Sequence, residues 1–190
     1  MWLDNRLGYI EPVWWQWFNL RRALLDVRAL MDNGRELALL NTHLSAFSNN
    51  DGTLFEQVGQ IDRHLTALES SGVAWVLGGD FNALPPGDDH KRLAEEGASY
   101  GPETPMTKLY DRYTPIWTER MVRDAPKAIR TYLPFGATEP DRTIDYGFVG
   151  REVSLLGAEV LQERDISDHL PFVIRVSLAP QAAGAAAEAP

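Results

Sequence analysis

Carboxylates, imidazoles and a carboxamide recur in this sequence beside apolar runs, where hydrophobic patterning alone predicts only turns. His43 ends one such run, in Asn41-Thr42-His43. Asp80 and Asn82 follow the unbroken apolar stretch Val73-Ala74-Trp75-Val76-Leu77, and Asp168-His169 come just before the last apolar run. Asp145 lies inside one, in Thr143-Ile144-Asp145-Tyr146, where a lone carboxylate is costly unless it is paired. Side chains of these types do acid–base chemistry and hold cations. Each also has a plain structural role open to it. His43 could be a surface histidine, Asp80-Phe81-Asn82 could be turn residues, Ser167-Asp168 could cap a local turn, and Asp145 could pair with Arg142. Four such placements in one chain point to a shared site more than to four unrelated roles.

The elements that must position these groups are legible in the pattern. Residues 23–31 and 36–42 are apolar-rich runs separated by Asp32-Asn33-Gly34, and Asn-Gly between such runs is a strong hairpin signal because its residues accept positive φ. Thr53 then opens a helix, with Glu56 completing a capping box. Leu54, Val58, Ile61, Leu65 and Leu68 form one apolar stripe along that helix, as the helical period requires, and Gly72 ends it. Residues 73–77 read as a strand buried on both faces. Short helices are expected over 88–96 and 114–122, and strands over 143–149, 153–161 and 172–178. Strands dominate with helices between some of them, a mixed sheet-and-helix architecture. Residues 1–178 read as one domain, and 179–190, almost all Ala, Pro, Gly and Gln, as a disordered tail.

Composition narrows the function. The formal net charge is -9, and Lys and Arg are scattered, so no basic stripe favours duplex nucleic acid. A divalent cation in a carboxylate-rich site suits this balance. The chain has no cysteine, which excludes disulfides and thiolate metal sites. A serine hydrolase is excluded as well, because no Gly-x-Ser-x-Gly elbow occurs. No run of about eighteen apolar residues is present, and Met1-Trp2-Leu3-Asp4-Asn5-Arg6 lacks the order of a secretory signal, so the cytoplasm is the default location.

Four motifs in order, Asn41-Thr42-His43-Leu44, Gly79-Asp80-Phe81-Asn82, Thr143-Ile144-Asp145-Tyr146 and Ser167-Asp168-His169-Leu170-Pro171, resemble those of the endonuclease/exonuclease/phosphatase (DNase I-like) superfamily. The resemblance implies an α+β fold, a two-sheet β-sandwich flanked by helices in four layers, α/β/β/α. It implies a hydrolase that uses Mg²⁺ or Mn²⁺ and water on a phosphate ester: a phospholipid head group, a small ester or, less favoured by charge, nucleic acid. Asp80 resembles the carboxylate that polarises the attacking water, and Asn82 the amide that holds it in register. His43 and His169 resemble the two histidines that contact the phosphate, and Asp145 the partner that orients His169. Asp80, Asn82 and Asp168 are the residues the resemblance places at the metal.

One departure accompanies these matches. Family members carry an Asn and then a Glu, the principal metal ligands, upstream of the Asn-Thr-His-Leu motif. Residues 1–40 contain neither motif, and Glu11 lies too close to His43 for the role. The expectation is a chain that lacks the N-terminal strands of one sheet, which would expose sheet edge and apolar surface. Trp14-Trp15-Gln16-Trp17-Phe18 then reads first as core cover, and otherwise as a means of self-association or of contact with a membrane surface. The alternative to an active phosphoesterase is a non-catalytic binding or assembly module of the same fold.

Overall fold

The computed structural model describes residues 22–32, 34–46, 52–96 and 100–178; the aromatic segment at 14–18 and the tail at 179–190 lie outside them. Leu24–Leu30 (β1) and Glu36–His43 (β2) form the expected antiparallel hairpin, with Leu30 opposite Glu36. Its turn is closed by the Met31 N–H on the Arg35 carbonyl at 2.8 Å, with Gly34 at φ +77°; Asn33 is outside the described residues.

The long helix α1, Thr53–Ser70, buries the whole predicted stripe from Leu54 to Leu68. Truncating either Ile61 or Leu65, both fully buried, would cost about 2–5 kcal/mol. The capping box does not form. Gly52 is the N-cap, at φ +87°, and no side-chain cap bond is made; Thr53 is already the first helical residue, and Glu56 pairs instead with Arg63 at 3.2 Å. At the other end the Gly72 and Val73 N–H groups close on the Glu69 and Leu68 carbonyls, which stops the helix and delivers the chain into β3, Ala74–Asp80.

The middle of the chain departs from expectation in two places. His90–Glu96 is a 3-10 helix with a kink at Leu93, not an α-helix; the Asp89 carboxylate accepts from the Lys91 N–H, and such local bonds compete with helical ones. Residues 114–122 divide. Thr114–Pro115 is a two-residue strand, β4, because the residue before proline is pushed to extended geometry. The helix begins only at Glu119–Asp124, with the Thr118 hydroxyl accepting from the Met121 N–H at 3.3 Å. It is α3, since a one-turn helix, Thr107–Tyr110 (α2), precedes it unannounced by any periodicity.

Asp145–Val149 (β5), Val153–Val160 (β6) and Phe172–Leu178 (β7) complete the chain. The larger sheet runs in the order β1-β2-β3-β5-β4, with β2 and β3 parallel and the other pairs antiparallel; β6 and β7 form a second, two-stranded sheet. Alternation along β3 assigns the faces. Trp75 and Leu77 pack with α1, whereas Ala74 and Val76 face Val153, Leu155 and Val176 of the second sheet. The result is the expected α+β sandwich with helices outside the larger sheet. Leu25, Val27 and Leu39, neighbours on the inter-sheet face of the hairpin, remain 44–59% exposed.

Candidate active site

Sheet register assembles the site. His43 ends β2 and pairs with Asp80 at the end of β3, and Asp80 pairs with Asp145 at the start of β5. Residues paired across adjacent strands point to the same face, so the three side chains form one row across the ends of three inner strands of the larger sheet. The row requires β2 and β3 to run very close. Gly79 (φ +151°) permits this: a Cβ there would lie 2.0 Å from the Thr42 carbonyl oxygen. Gly79→Ala is expected to destabilise the fold by at least about 3 kcal/mol in urea unfolding. A loss under about 1 kcal/mol would mean that the strands separate easily and that the row is not rigid.

Beyond Asp80 the chain turns sharply, with Asn82 at φ +49°. Asparagine tolerates that conformation better than most residues. Here the Asn82 N–H donates to Asp80 Oδ1 at 2.8 Å, and its amide nitrogen reaches Asp80 Oδ2 at 3.3 Å and the Leu44 carbonyl at 3.0 Å. Asn82 thus ties Asp80 to the end of β2. Burial, and next the Asp145 charge, push the Asp80 carboxyl up to about 6, against the opposing Asn82 N–H bond and the His169 and Arg22 charges. A carboxyl so placed is a base suited to neutral pH.

His169 arrives from a different part of the chain. Residues 131–133 act as a connector: Leu170 N–H donates to the Thr131 carbonyl and Leu133 N–H to the Asp168 carbonyl, both at 2.7 Å, while the Thr131 and Tyr132 N–H groups bind the Arg142 carbonyl. The Thr131 hydroxyl also accepts from the Asp145 N–H at 3.3 Å. The segment bearing His169 is thereby stitched to the start of β5, and His169 Nδ1 meets both oxygens of Asp145, at 2.9 and 3.1 Å. This bond is the main cause raising the His169 pKa, against the opposing effect of burial. With Nδ1–H donated to Asp145, Nε2 points toward Asp80 Oδ2, 3.9 Å away. The Tyr132 ring packs edge-on against His169 at 5.1 Å, and the buried Arg142, paired with Asp141, lies over the same tyrosine at 4.9 Å. Arg142 therefore does not take the role of partner to Asp145.

His43 is more exposed, with 58% of its side chain accessible, and its Nε2 lies 3.3 Å from Asp80 Oδ2. Burial first, then the Arg22 and His169 charges, lower its pKa. His43, Asp80, Asn82, Asp145 and His169 thus converge from four chain segments. Asp168 is adjacent but separate: its side chain is exposed and bonds Ser167 Oγ at 3.2 Å. Sequence reasoning missed Arg22, whose guanidinium is felt by both Asp80 and His43 and which makes no hydrogen bond or ion pair among the described residues. It also missed Thr131 and Tyr132. None of the three carries a local signal, since each acts through partners distant in sequence.

A hard cation takes oxygen ligands and is often held by one or two carboxylates, with water and substrate oxygens filling the shell. Asp80, Asp145 and His169 each bring one donor atom within 4.8 Å of the others. Both Asp145 oxygens already engage His169, which leaves Asp80 as the carboxylate of the three that fits such an ion; the Asn82 amide turns its nitrogen toward that carboxylate, so it could reach the ion only through its oxygen.

Residues 13–169 match the Endonuclease/Exonuclease/phosphatase family. No curated protein matches the chain. Among solved structures, an endonuclease/exonuclease/phosphatase from Beutenbergia cavernae is 24% identical with a TM-score of 0.60, the match covering 94% of this chain and 44% of that one. The human nocturnin catalytic domain with bound sulfate is 16% identical, with a TM-score of 0.53 and coverage of 85% and 54%. A mannosyl-6-phosphatase from Bacteroides thetaiotaomicron is 15% identical, with a TM-score of 0.53 and coverage of 84% and 58%. The chain spans about half the length of these structures, and identities this low speak to fold alone.

Proposed function

The chain belongs to the endonuclease/exonuclease/phosphatase family, and from that membership we propose that it hydrolyses a phosphate ester with water activated at Asp80. The observation that carries this reading is the in-register row His43, Asp80, Asp145, closed by His169 on Asp145. A phosphoryl centre is shielded by its own negative oxygens, so hydrolysis needs charge neutralisation together with an oriented nucleophile. Asp80, near 6, takes a proton from water as the water oxygen bonds phosphorus and the ester oxygen departs. Asn82 fixes the direction of that carboxylate. His169, whose pKa Asp145 raises, donates when protonated from Nε2 to a phosphoryl oxygen, a charge-assisted bond that strengthens as negative charge develops. His43 lines the opposite side of Asp80, and Arg22 adds positive charge to the same space. Mg²⁺ or Mn²⁺, held by Asp80 and Asn82 with Asp168 at its water shell, would neutralise phosphoryl charge.

The substrate class we propose is a phosphodiester or phosphomonoester of modest charge, because the chain carries a net charge of -9 and a polyanion would be repelled. A binding module of the same fold is the competing reading. Two features weigh against it: a carboxyl tuned to about 6 and a histidine clamped on one nitrogen serve no evident binding purpose.

The test is turnover of bis-p-nitrophenyl phosphate and p-nitrophenyl phosphate with Mg²⁺ or Mn²⁺, and with chelator, across pH. Activity is expected to rise with pH as Asp80 ionises, at a lower pH when the cation is bound beside it than the metal-free value of about 6, and to fall once His169, raised above its usual 6.5, loses its proton. The two limbs belong to the coupled pair rather than to single residues. No turnover of either ester by folded protein with either metal would overturn the catalytic reading.

A further inference from the structure

Beside Asp168 the surface dips into a shallow, largely open cleft of about 310 Å³, lined by residues 133–137 on one side and 164–168 on the other. Its apolar groups are unusually bare: Phe135 is fully exposed and Ile166 is 75% exposed. The walls are nonetheless fixed. Leu133 is bonded to the Asp168 carbonyl at 2.7 Å, and the Ala137 N–H closes on the Pro134 carbonyl at 2.9 Å. That bond makes a four-residue turn with Phe135 at its second position and Gly136, at φ +79°, at its third, where only a residue tolerant of positive φ fits. The turn therefore places Phe135 at its tip, where it lines the cleft and is open to solvent. The opposite wall is anchored by Arg164, which donates to the Thr138 carbonyl at 2.7 Å and to Glu139 at 2.9 Å.

These contacts say what can sit there. Arg164 is the cation of the cleft, and it is engaged by the Glu139 carboxylate and a carbonyl, so little positive charge remains for a second phosphate. Leu133, Pro134, Phe135 and Ile166 instead offer an apolar bed with one freely presented aromatic face. The two walls of the cleft begin at Leu133 and end at Asp168, the neighbours of Tyr132 and His169, which pair with one another and whose rings lie 5.1 Å apart. A phosphoryl group held by His169 therefore has this cleft as an adjacent place for its organic arm. Resting on the function proposed above, we propose that the cleft is the subsite for an aryl or other flat apolar substituent of the ester, with Phe135 as the specificity-determining residue and Ile166 as its opposing wall.

Phenylphosphonate and methylphosphonate separate the two claims, because they share a head group, differ only in the arm and need no turnover. Both would be titrated in the presence of Mg²⁺ by NMR against the wild type, Phe135→Ala and Phe135→Trp. Wild type is expected to bind the phenyl compound about tenfold more tightly than the methyl one, as ring stacking commonly supplies. Phe135→Ala should bring the two affinities within about twofold while leaving methylphosphonate unchanged, and Phe135→Trp should restore the preference. Equal affinities in the wild type, or a preference that survives Phe135→Ala, would overturn the subsite, as would failure to bind either compound. A Phe135-dependent phenyl preference in a protein with no turnover would uphold the subsite and sink the catalytic proposal instead.

Discussion

Asp80→Asn is expected to lower hydrolysis of bis-p-nitrophenyl phosphate by about a thousandfold, within the range that a positioned acid–base group contributes, while making the metal-free protein more stable at neutral pH. The first effect follows because the amide keeps the shape of the carboxylate and its bond from the Asn82 N–H yet cannot take the proton of water. The second follows from the cause of the raised pKa. Asp80 is buried beside Asp145, and its folded value of about 6 lies above the ordinary 3.8. Where the folded value is the higher one, the fold gains a proton that the unfolded chain has released. Stability from this group is therefore full below about 4 and is lost as pH rises through about 6. A neutral amide removes that loss, a gain of about 1–3 kcal/mol at pH 7.5. Urea unfolding with chelator at pH 4 and pH 7.5 checks it: the gain should be present at the higher pH and much smaller at the lower. A variant that is inactive and also less stable at pH 7.5 would mean that Asp80 holds the sheet together, and the case for a tuned base would fail.

The same tension between stability and chemistry explains how much of the site could be read from the sequence. Asp145 was conspicuous because an apolar strand carried a carboxylate, a costly placement that needs a partner, and the partner proved to be His169 rather than Arg142. Asp80 and His43 were legible because the apolar runs before them stop abruptly at polar residues, and the ends of β2 and β3 lie side by side. The α1 stripe and the hairpin were equally plain, since both depend on periodicity and local turn chemistry. What escaped was of another kind. Thr131 and Tyr132 matter only because backbone bonds draw residues 131–133 between β5 and the segment before β7, and no local pattern announces such a bridge. Arg22 reaches the site from before β1. The capping box at Thr53 failed because Gly52, in the left-handed region, starts the helix one residue earlier, and the expected helix from Thr114 gave way to Pro115 and to pairing with β5.

Asp145→Asn tests whether these residues act as one unit. Asp145 raises His169 through a direct bond and raises Asp80 through charge. Removing its charge should therefore lower both pKa values together. The whole pH–rate profile is expected to slide toward acid, with the alkaline limb moving at least as far as the acid limb, because the lost hydrogen bond is the larger cause at His169. His169 would then lose its proton at a lower pH than in the wild type. An asparagine amide that donates to Nδ1 would also move the ring proton to Nε2, costing His169 its fixed tautomer. Together these should reduce turnover by about a hundredfold or more at pH 7.5, with partial recovery near pH 5.5. His169→Ala should lose a similar factor with no such recovery, and the double variant little more than either single one, since each change disables the same hydrogen-bonded pair. An alkaline limb that stays in place in Asp145→Asn, or losses that multiply in the double variant, would show the two residues working independently. The contact of 2.9 Å between them would then be a structural ion pair, and the positive charge at the phosphoryl group would have to come from Arg22 or a bound cation.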